Sequence, residues 1–223
     1  MYFFFLNKIL LVINMNILIT GSASGLGYNA GINLAKKGYH VFLTTENDKQ
    51  LEVLNNKVKN MDNIDTFKLD VTNKNDLNAL DEINIDILIS NAAVGYGGSI
   101  IDVDTEKFRY SYEVNVLSNF ELIKKVINKM IEKGNGKIII MSSMISNISI
   151  PFFGIYAETI FKDFYDSIRK LENEILDFSA KRKYDSITKQ IIKAVKEENP
   201  KEMYRAPLLQ NLLIKLYIKF LKK

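Results

Sequence analysis

From Met15 onward the chain alternates short, fully apolar runs with longer stretches whose apolar positions recur every three to four residues. These are the periods of a strand buried on both faces and of a helix buried on one. Residues 16–20 (Asn-Ile-Leu-Ile-Thr) predict a first strand, and residues 25–37 a helix that Gly38 terminates. A second strand is expected at 40–44 with a helix at 48–60, and a third strand at 64–69 with a helix at 73–83. The fourth strand falls at 85–90. A long helix follows over 105–133, ended by Gly134-Asn135-Gly136, and the fifth strand covers 137–141.

Apolar strands separated by amphipathic helices call for a parallel sheet covered on both faces. Such crossovers are right-handed, so the expected fold class is α/β: a doubly wound, Rossmann-like parallel sheet with its ligand crevice at the carboxyl ends of the strands. After Tyr156 the pattern changes. No glycine occurs from Ile155 to Lys223, residues 157–199 read as continuous helix, and no further strand is legible. The expectation is therefore a sheet truncated after its fifth strand and followed by a helical C-terminal segment. The domain plan is an apolar extension (1–14), one Rossmann-like domain (15–206) and an amphipathic basic helix (207–223).

Composition narrows the function classes. With 223 residues, 47% of them hydrophobic, the chain can fill one core but not two comfortable ones. Thirty basic against 26 acidic side chains, spread along most of the chain, give no reason to expect a nucleic-acid partner. The lack of cysteine excludes disulfides, thiolate catalysis and cysteine-bound metal. The single histidine, His40, opens a strand and is read as structural, so no metal site is expected.

Two end segments carry open readings. Residues 1–14 are shorter than the roughly 20 apolar residues of a membrane-spanning helix and lack the layout of a signal peptide. They are read as preceding a functional start at Met15, with a weak membrane anchor as the alternative; a cytoplasmic location is expected. In 207–223, Leu209, Leu212, Leu213, Leu216, Phe220 and neighbouring apolar residues form one helical stripe, with four lysines largely off it. Packing onto the domain or a second subunit is the preferred reading, and peripheral contact with a membrane surface the alternative.

The candidate chemistry begins at Thr20-Gly-Ser-Ala-Ser-Gly-Leu-Gly27, where a strand ends and a helix begins. Glycines at 21, 25 and 27 permit a tight turn and bring backbone N–H groups close to a pyrophosphate, which the partial positive charge of the helix N-terminus favours. Gly21, Ser24, Gly25, Leu26 and Gly27 are the binding candidates of this turn. The TGxxxGxG spacing resembles that of the short-chain dehydrogenase/reductase family. Collinear matches extend the resemblance from Met15 to about Tyr156. Asp70-Val71 after the third strand resembles the family's adenine-side residues, and Ser90-Asn91-Ala92-Ala93 its NNAG segment, with Ala93 in place of glycine.

The resemblance implies NAD or NADP as cofactor and a small-molecule carbonyl or secondary alcohol as substrate, with homo-oligomers common among relatives. The position that often selects NAD in the family is Thr45 here, followed by Glu46, and no lysine or arginine stands in the Gly-rich turn. The preference between the two cofactors is therefore open.

The family resemblance also assigns catalysis: Tyr156 as acid/base, Ser143 orienting the substrate oxygen and Asn115 holding a water relay. The family's lysine, four residues after the tyrosine on the same helix face, is Ile160 here. Lys162 lies about 200° from that position around an α-helix. An unassisted tyrosine, with a pKa of about 10, is only ~0.1% ionised at pH 7. Alcohol oxidation, which uses the phenolate, should suffer more than carbonyl reduction, which uses the phenol. The family's sixth strand and Pro-Gly turn are also not legible, and residues 161–168 read either as the helix carrying Tyr156 or as a later segment joined by a deletion, the latter preferred. Three functions follow: an NAD(P)-dependent oxidoreductase of impaired activity, a non-catalytic dinucleotide-binding remnant or regulator, or a peripheral membrane or interaction module.

Overall fold

The computed structural model describes residues 15–96, 102–143 and 184–197, with side chains from 187 in the last segment. Two compact units divide the chain, one of residues 1–92 with 118–140 and one of 93–117 with 141–223.

The first unit contains the sheet. Its elements in chain order are β1 (Asn16–Ile19), α1 (Gly25–Ala35), β2 (His40–Thr45), α2 (Asp48–Val58), β3 (Ile64–Lys68), α3 (Lys74–Asn78), a 3-10 turn (Ala79–Glu82), β4 (Ile87–Ser90), α5 (Ser118–Glu132) and β5 (Lys137–Ile140); α4 belongs to the other unit. The described strands lie in the order β3-β2-β1-β4-β5, every neighbouring pair parallel. Chain order reverses at β1, with β2 on one side and β4 on the other. The doubly wound sheet expected from the alternating pattern is thus the observed one. Five strands are present among the described residues.

Burial explains the apolar runs. Ile17, Leu18 and Ile19 are all inaccessible to solvent, so both faces of β1 are covered and no polar alternation is needed. On one face Leu18 and Leu88 pack with Leu77 and Leu80 and with Leu122, Val126 and Met130 of α5. Each such aliphatic side chain contributes about 1.5–3 kcal/mol on full burial. The next helix start is equally local: the side chain of Asn47 accepts a hydrogen bond from the Gln50 N–H at 3.0 Å, capping α2. His40 bridges strands, its ring nitrogens lying 3.1 Å from the Asn16 side-chain oxygen and 3.0 Å from Asp65, in keeping with a structural role.

The helix expected over 73–83 is split. α3 ends at Asn78 and a 3-10 turn follows, at whose end the carbonyls of Leu80, Asp81 and Ile83 accept from the Lys129 ammonium, two of them at 3.3 Å.

The second unit holds α4 (Thr105–Tyr112), a π-helical segment (Glu113–Leu117) and α6 (Tyr184–Lys196). The long helix expected over 105–133 is therefore α4, the π segment and α5. In α6, Ile187, Ile191, Ala194 and Val195 are buried at helical spacing. No helix among the described residues is long and apolar enough to cross a membrane. Residues 1–14 and 207–223, and the segment after Tyr156 where a deletion is expected, lie outside the described residues.

Candidate dinucleotide-binding site

Where strand order reverses, the loops leaving two adjacent parallel strands run apart and open a crevice at their carboxyl ends. Here those strands are β1 and β4, and the loops are the Gly-rich turn and the segment beginning at Asn91. Hydrogen bonds lock them together. The buried Thr20 hydroxyl accepts the N–H groups of Asn91 and Ala92, both at 3.0 Å. In return the Asn91 side-chain amide donates to the carbonyls of Thr20 (2.9 Å) and Gly21 (3.0 Å). On the other side, the Ser22 N–H donates to the Thr44 carbonyl at 2.7 Å and its hydroxyl to the Ile19 carbonyl at 2.9 Å. The turn is thus tied to β4 and to β2 at once.

The glycines follow from this clamp. Gly21 has φ +65°, and a Cβ there would stand 2.7 Å from the Ala92 Cα. Gly27 is closed off in a different way, since a Cβ would lie 2.6 Å from the Asn91 amide nitrogen and 2.8 Å from the Gly21 carbonyl oxygen. Gly25, at φ +63°, has nothing within 4 Å of where its Cβ would be. The turn is packed at 21 and 27 and open at 25. α1 starts at Gly25, and its N-cap residue Ser24 makes no side-chain capping bond. The N–H groups of the first turn of α1 lack an intrahelical acceptor by position, and the first of these residues, Gly25, borders open space, an arrangement suited to an anion.

Two further loops border the strand ends. Thr45, the last residue of β2, is fully buried, and its hydroxyl donates to the Asn47 carbonyl at 3.2 Å. Asp70 follows β3; its carboxylate accepts from the Thr72 N–H (2.9 Å) and hydroxyl (2.7 Å). Its own N–H donates to Asp76 at 2.9 Å, and Asp76 also pairs with Lys68 at 2.8 Å. Val71 beside it is buried.

Burial pushes the Asp76 carboxyl up, but the hydrogen bond from Lys68, the Asp70 N–H and the Lys68 charge together outweigh it and hold the group below the usual carboxylate range. The same hydrogen bond, against desolvation, raises Lys68 above the usual lysine range. A lowered folded value means that Asp76 stabilises the fold fully above the unfolded carboxyl value of about 4 and ceases to do so as pH falls through the folded value. Asp76→Asn should cost about 1–3 kcal/mol at pH 7. In urea unfolding, wild-type stability should fall more steeply than the variant's below about pH 4.

In the second unit, Asn115 lies in the π segment and is fully buried. It accepts from the Val94 N–H at 2.9 Å and donates to the Val94 carbonyl at 2.8 Å. Ser143 is buried and Ala93 exposed. Tyr156 and Ile160 lie outside the described residues, so the meeting of Asn115, Ser143 and Tyr156 is an expectation of the sequence.

Of the candidates in the first unit, the structure brings Gly21, Gly27, Asn91 and Ala92 into one clamp, with Ser24, Gly25 and Leu26 at its open side. Sequence reasoning passed over Thr20 and Ser22, whose buried hydroxyls hold the turn. The available signal was a hydroxyl residue on either side of a turn glycine directly after an apolar strand.

Comparison with known proteins agrees with this geometry. A family model described as short chain dehydrogenase matches residues 15–159. A dehydrogenase/reductase SDR family member 6 of Aquarana catesbeiana is 36% identical over 134 residues, 59% of this chain and 53% of its own length. A 3-oxoacyl-(acyl-carrier-protein) reductase of Rickettsia typhi is 34% identical over 136 residues, 60% of this chain and 56% of its own. The chain thus spans about half the length of the curated relatives it matches. Among solved structures, serine dehydrogenase from Escherichia coli superposes with a TM-score of 0.76 at 19% identity, covering 88% of this chain and 99% of that one. An alcohol dehydrogenase from Thermococcus sibiricus, complexed with 5-hydroxy-NADP, gives 0.73 at 19% identity, covering 86% and 95%. At these identities the superpositions show a shared fold.

Proposed function

This chain belongs to the short-chain dehydrogenase/reductase family, and on that premise we propose that it binds a nicotinamide dinucleotide at the Gly-rich turn and acts as an NAD(P)-dependent oxidoreductase on a small carbonyl or secondary alcohol. The observation that carries the reading is the opening at Gly25: a left-handed glycine with empty space before it, at the uncapped start of α1. That donor set fits a pyrophosphate, with Gly25, Leu26 and Gly27 supplying N–H groups and Asn91 and Thr20 holding the turn's shape. By the family resemblance, Asp70 and Val71 would hold the adenine side of the dinucleotide, and Asn91, Ala92 and Ala93 its nicotinamide side. The bound dinucleotide supplies or accepts the hydride. Tyr156 gives the proton to the substrate oxygen in reduction or takes it in oxidation, Ser143 orients that oxygen, and Asn115 connects it to water.

Ile160 at the lysine position makes the proton transfer the weak step, most of all in oxidation. Ile160→Lys should therefore raise the kcat of alcohol oxidation at pH 7 by about tenfold or more, with a smaller gain in carbonyl reduction. The same substitution favours a second reading if turnover is undetectable before it and present after it: a protein that now binds the dinucleotide without using it. Fluorescence titration with NADH and NADPH, followed by a screen of aldehydes and ketones, tests the main reading. Turnover that Tyr156→Phe abolishes supports it, and binding without turnover supports the second.

A further inference from the structure

We propose that Lys57 decides which dinucleotide the protein takes, by holding the 2′-phosphate that distinguishes NADP from NAD. The inference rests on the proposed dinucleotide site and names the residue that selects its ligand.

A dinucleotide whose pyrophosphate lies at the start of α1 runs its adenosine ribose toward the end of the second strand, where an acid bonds the 2′-hydroxyl in NAD-binding sheets and a cation meets the 2′-phosphate in NADP-binding ones. In this protein the last residue of β2 is Thr45, buried and with its hydroxyl committed to the Asn47 carbonyl, so no carboxylate occupies that place. The turn itself, residues 21–27, contains no basic side chain. A cation reaches it from elsewhere. Lys57, in the last turn of α2 and 34 positions along the chain, donates from Nζ to the Ala23 carbonyl at 3.3 Å. The same Nζ lies 5.1 Å from the centroid of the Tyr28 ring, which fixes the long side chain against α1.

The location matters as much as the charge. Ala23 follows Ser22, whose N–H is bonded to the Thr44 carbonyl, so this carbonyl sits where the turn meets the end of β2. An ammonium has three donors, and the Ala23 carbonyl engages one. Next to it, Ser24 is exposed and its hydroxyl caps no helix N–H. The remaining ammonium donors, beside a turn whose next residue carries this exposed hydroxyl, would meet the 2′-phosphate of a dinucleotide bound there. Glu46, the residue after Thr45, is the competing charge.

Isothermal titration with NADPH, NADH, adenosine 2′,5′-bisphosphate and AMP tests the assignment without any turnover. Wild type should prefer the 2′-phosphorylated member of each pair, and the preference should shrink as salt is added. Lys57→Gln should weaken NADPH and the bisphosphate about ten- to hundredfold, leave NADH and AMP within about twofold, and Lys57→Arg should restore the preference. Equal losses for NADH and NADPH would mean that Lys57 only braces the turn, and would overturn the proposal. So would an unchanged ratio in Lys57→Gln with a changed one in Glu46→Gln. Tight NADH binding with no preference for NADPH defeats the Lys57 assignment alone, whereas a folded protein that binds none of the four probes defeats the underlying site as well.

Discussion

Gly21→Val is expected to abolish dinucleotide binding, lowering affinity for both NADH and NADPH by about a hundredfold or more. Two separate penalties act at this position. A β-branched residue at φ +65° is strained by about 1–2 kcal/mol or more. Its Cβ would also stand 2.7 Å from the Ala92 Cα, a backbone atom held by the Thr20 hydroxyl, so relief requires the β1 and β4 loops to separate. That separation pulls the Asn91 amide from the Thr20 and Gly21 carbonyls and loosens the start of α1. Overpacking adds about 1–3 kcal/mol of lost stability. Thermal unfolding alongside fluorescence titration separates the two effects. Gly21→Ala, with the same clash but less bulk, should bind measurably and more weakly than wild type.

Asn115→Leu is expected to cost about 3 kcal/mol of stability, through a different kind of contact. The Asn115 amide satisfies both the N–H and the carbonyl of Val94, from a fully buried position in a π-helical segment. A leucine of similar size leaves both backbone groups without that partner, and the loop after Asn91 loses its anchor. Because π segments are rare and costly, the widened turn is explained by what it permits, a side chain aimed back at residue 94. Urea unfolding measures the cost.

The sheet was legible because its strands are buried on both faces. Ile17-Leu18-Ile19 and Ile87-Leu88-Ile89 are continuous apolar runs for that reason, and the glycines after β1 mark the crossover. The helix over 105–133 was legible as a helix but not in its detail. A π turn changes the hydrogen-bond ladder by one residue without disturbing the apolar spacing that announces a helix. The helix pattern over 73–83 continues across the boundary at Asn78, since a 3-10 turn keeps nearly the same side-chain spacing as the α-helix before it. The site shows the same division. Gly21 and Gly27 could be named from spacing, since each serves a turn. Thr20 and Ser22 carried only the hint of hydroxyls flanking a turn glycine, and Lys57 carried none, since their contacts depend on which loops and helices the fold brings beside the turn. If Lys57 takes the role proposed for it, cofactor choice belongs to that second class, which is why Thr45 and the lack of a basic residue in the turn left it open.

The most direct test is a nitrogen-15 amide spectrum of the folded protein titrated with NADH and with NADPH. Saturable shifts of the Gly25, Leu26 and Gly27 resonances, at concentrations that leave the buried Leu18 and Leu88 amides in place, are the predicted result. A spectrum of a folded protein in which these three amides stay unmoved by either dinucleotide at millimolar concentration would contradict the account.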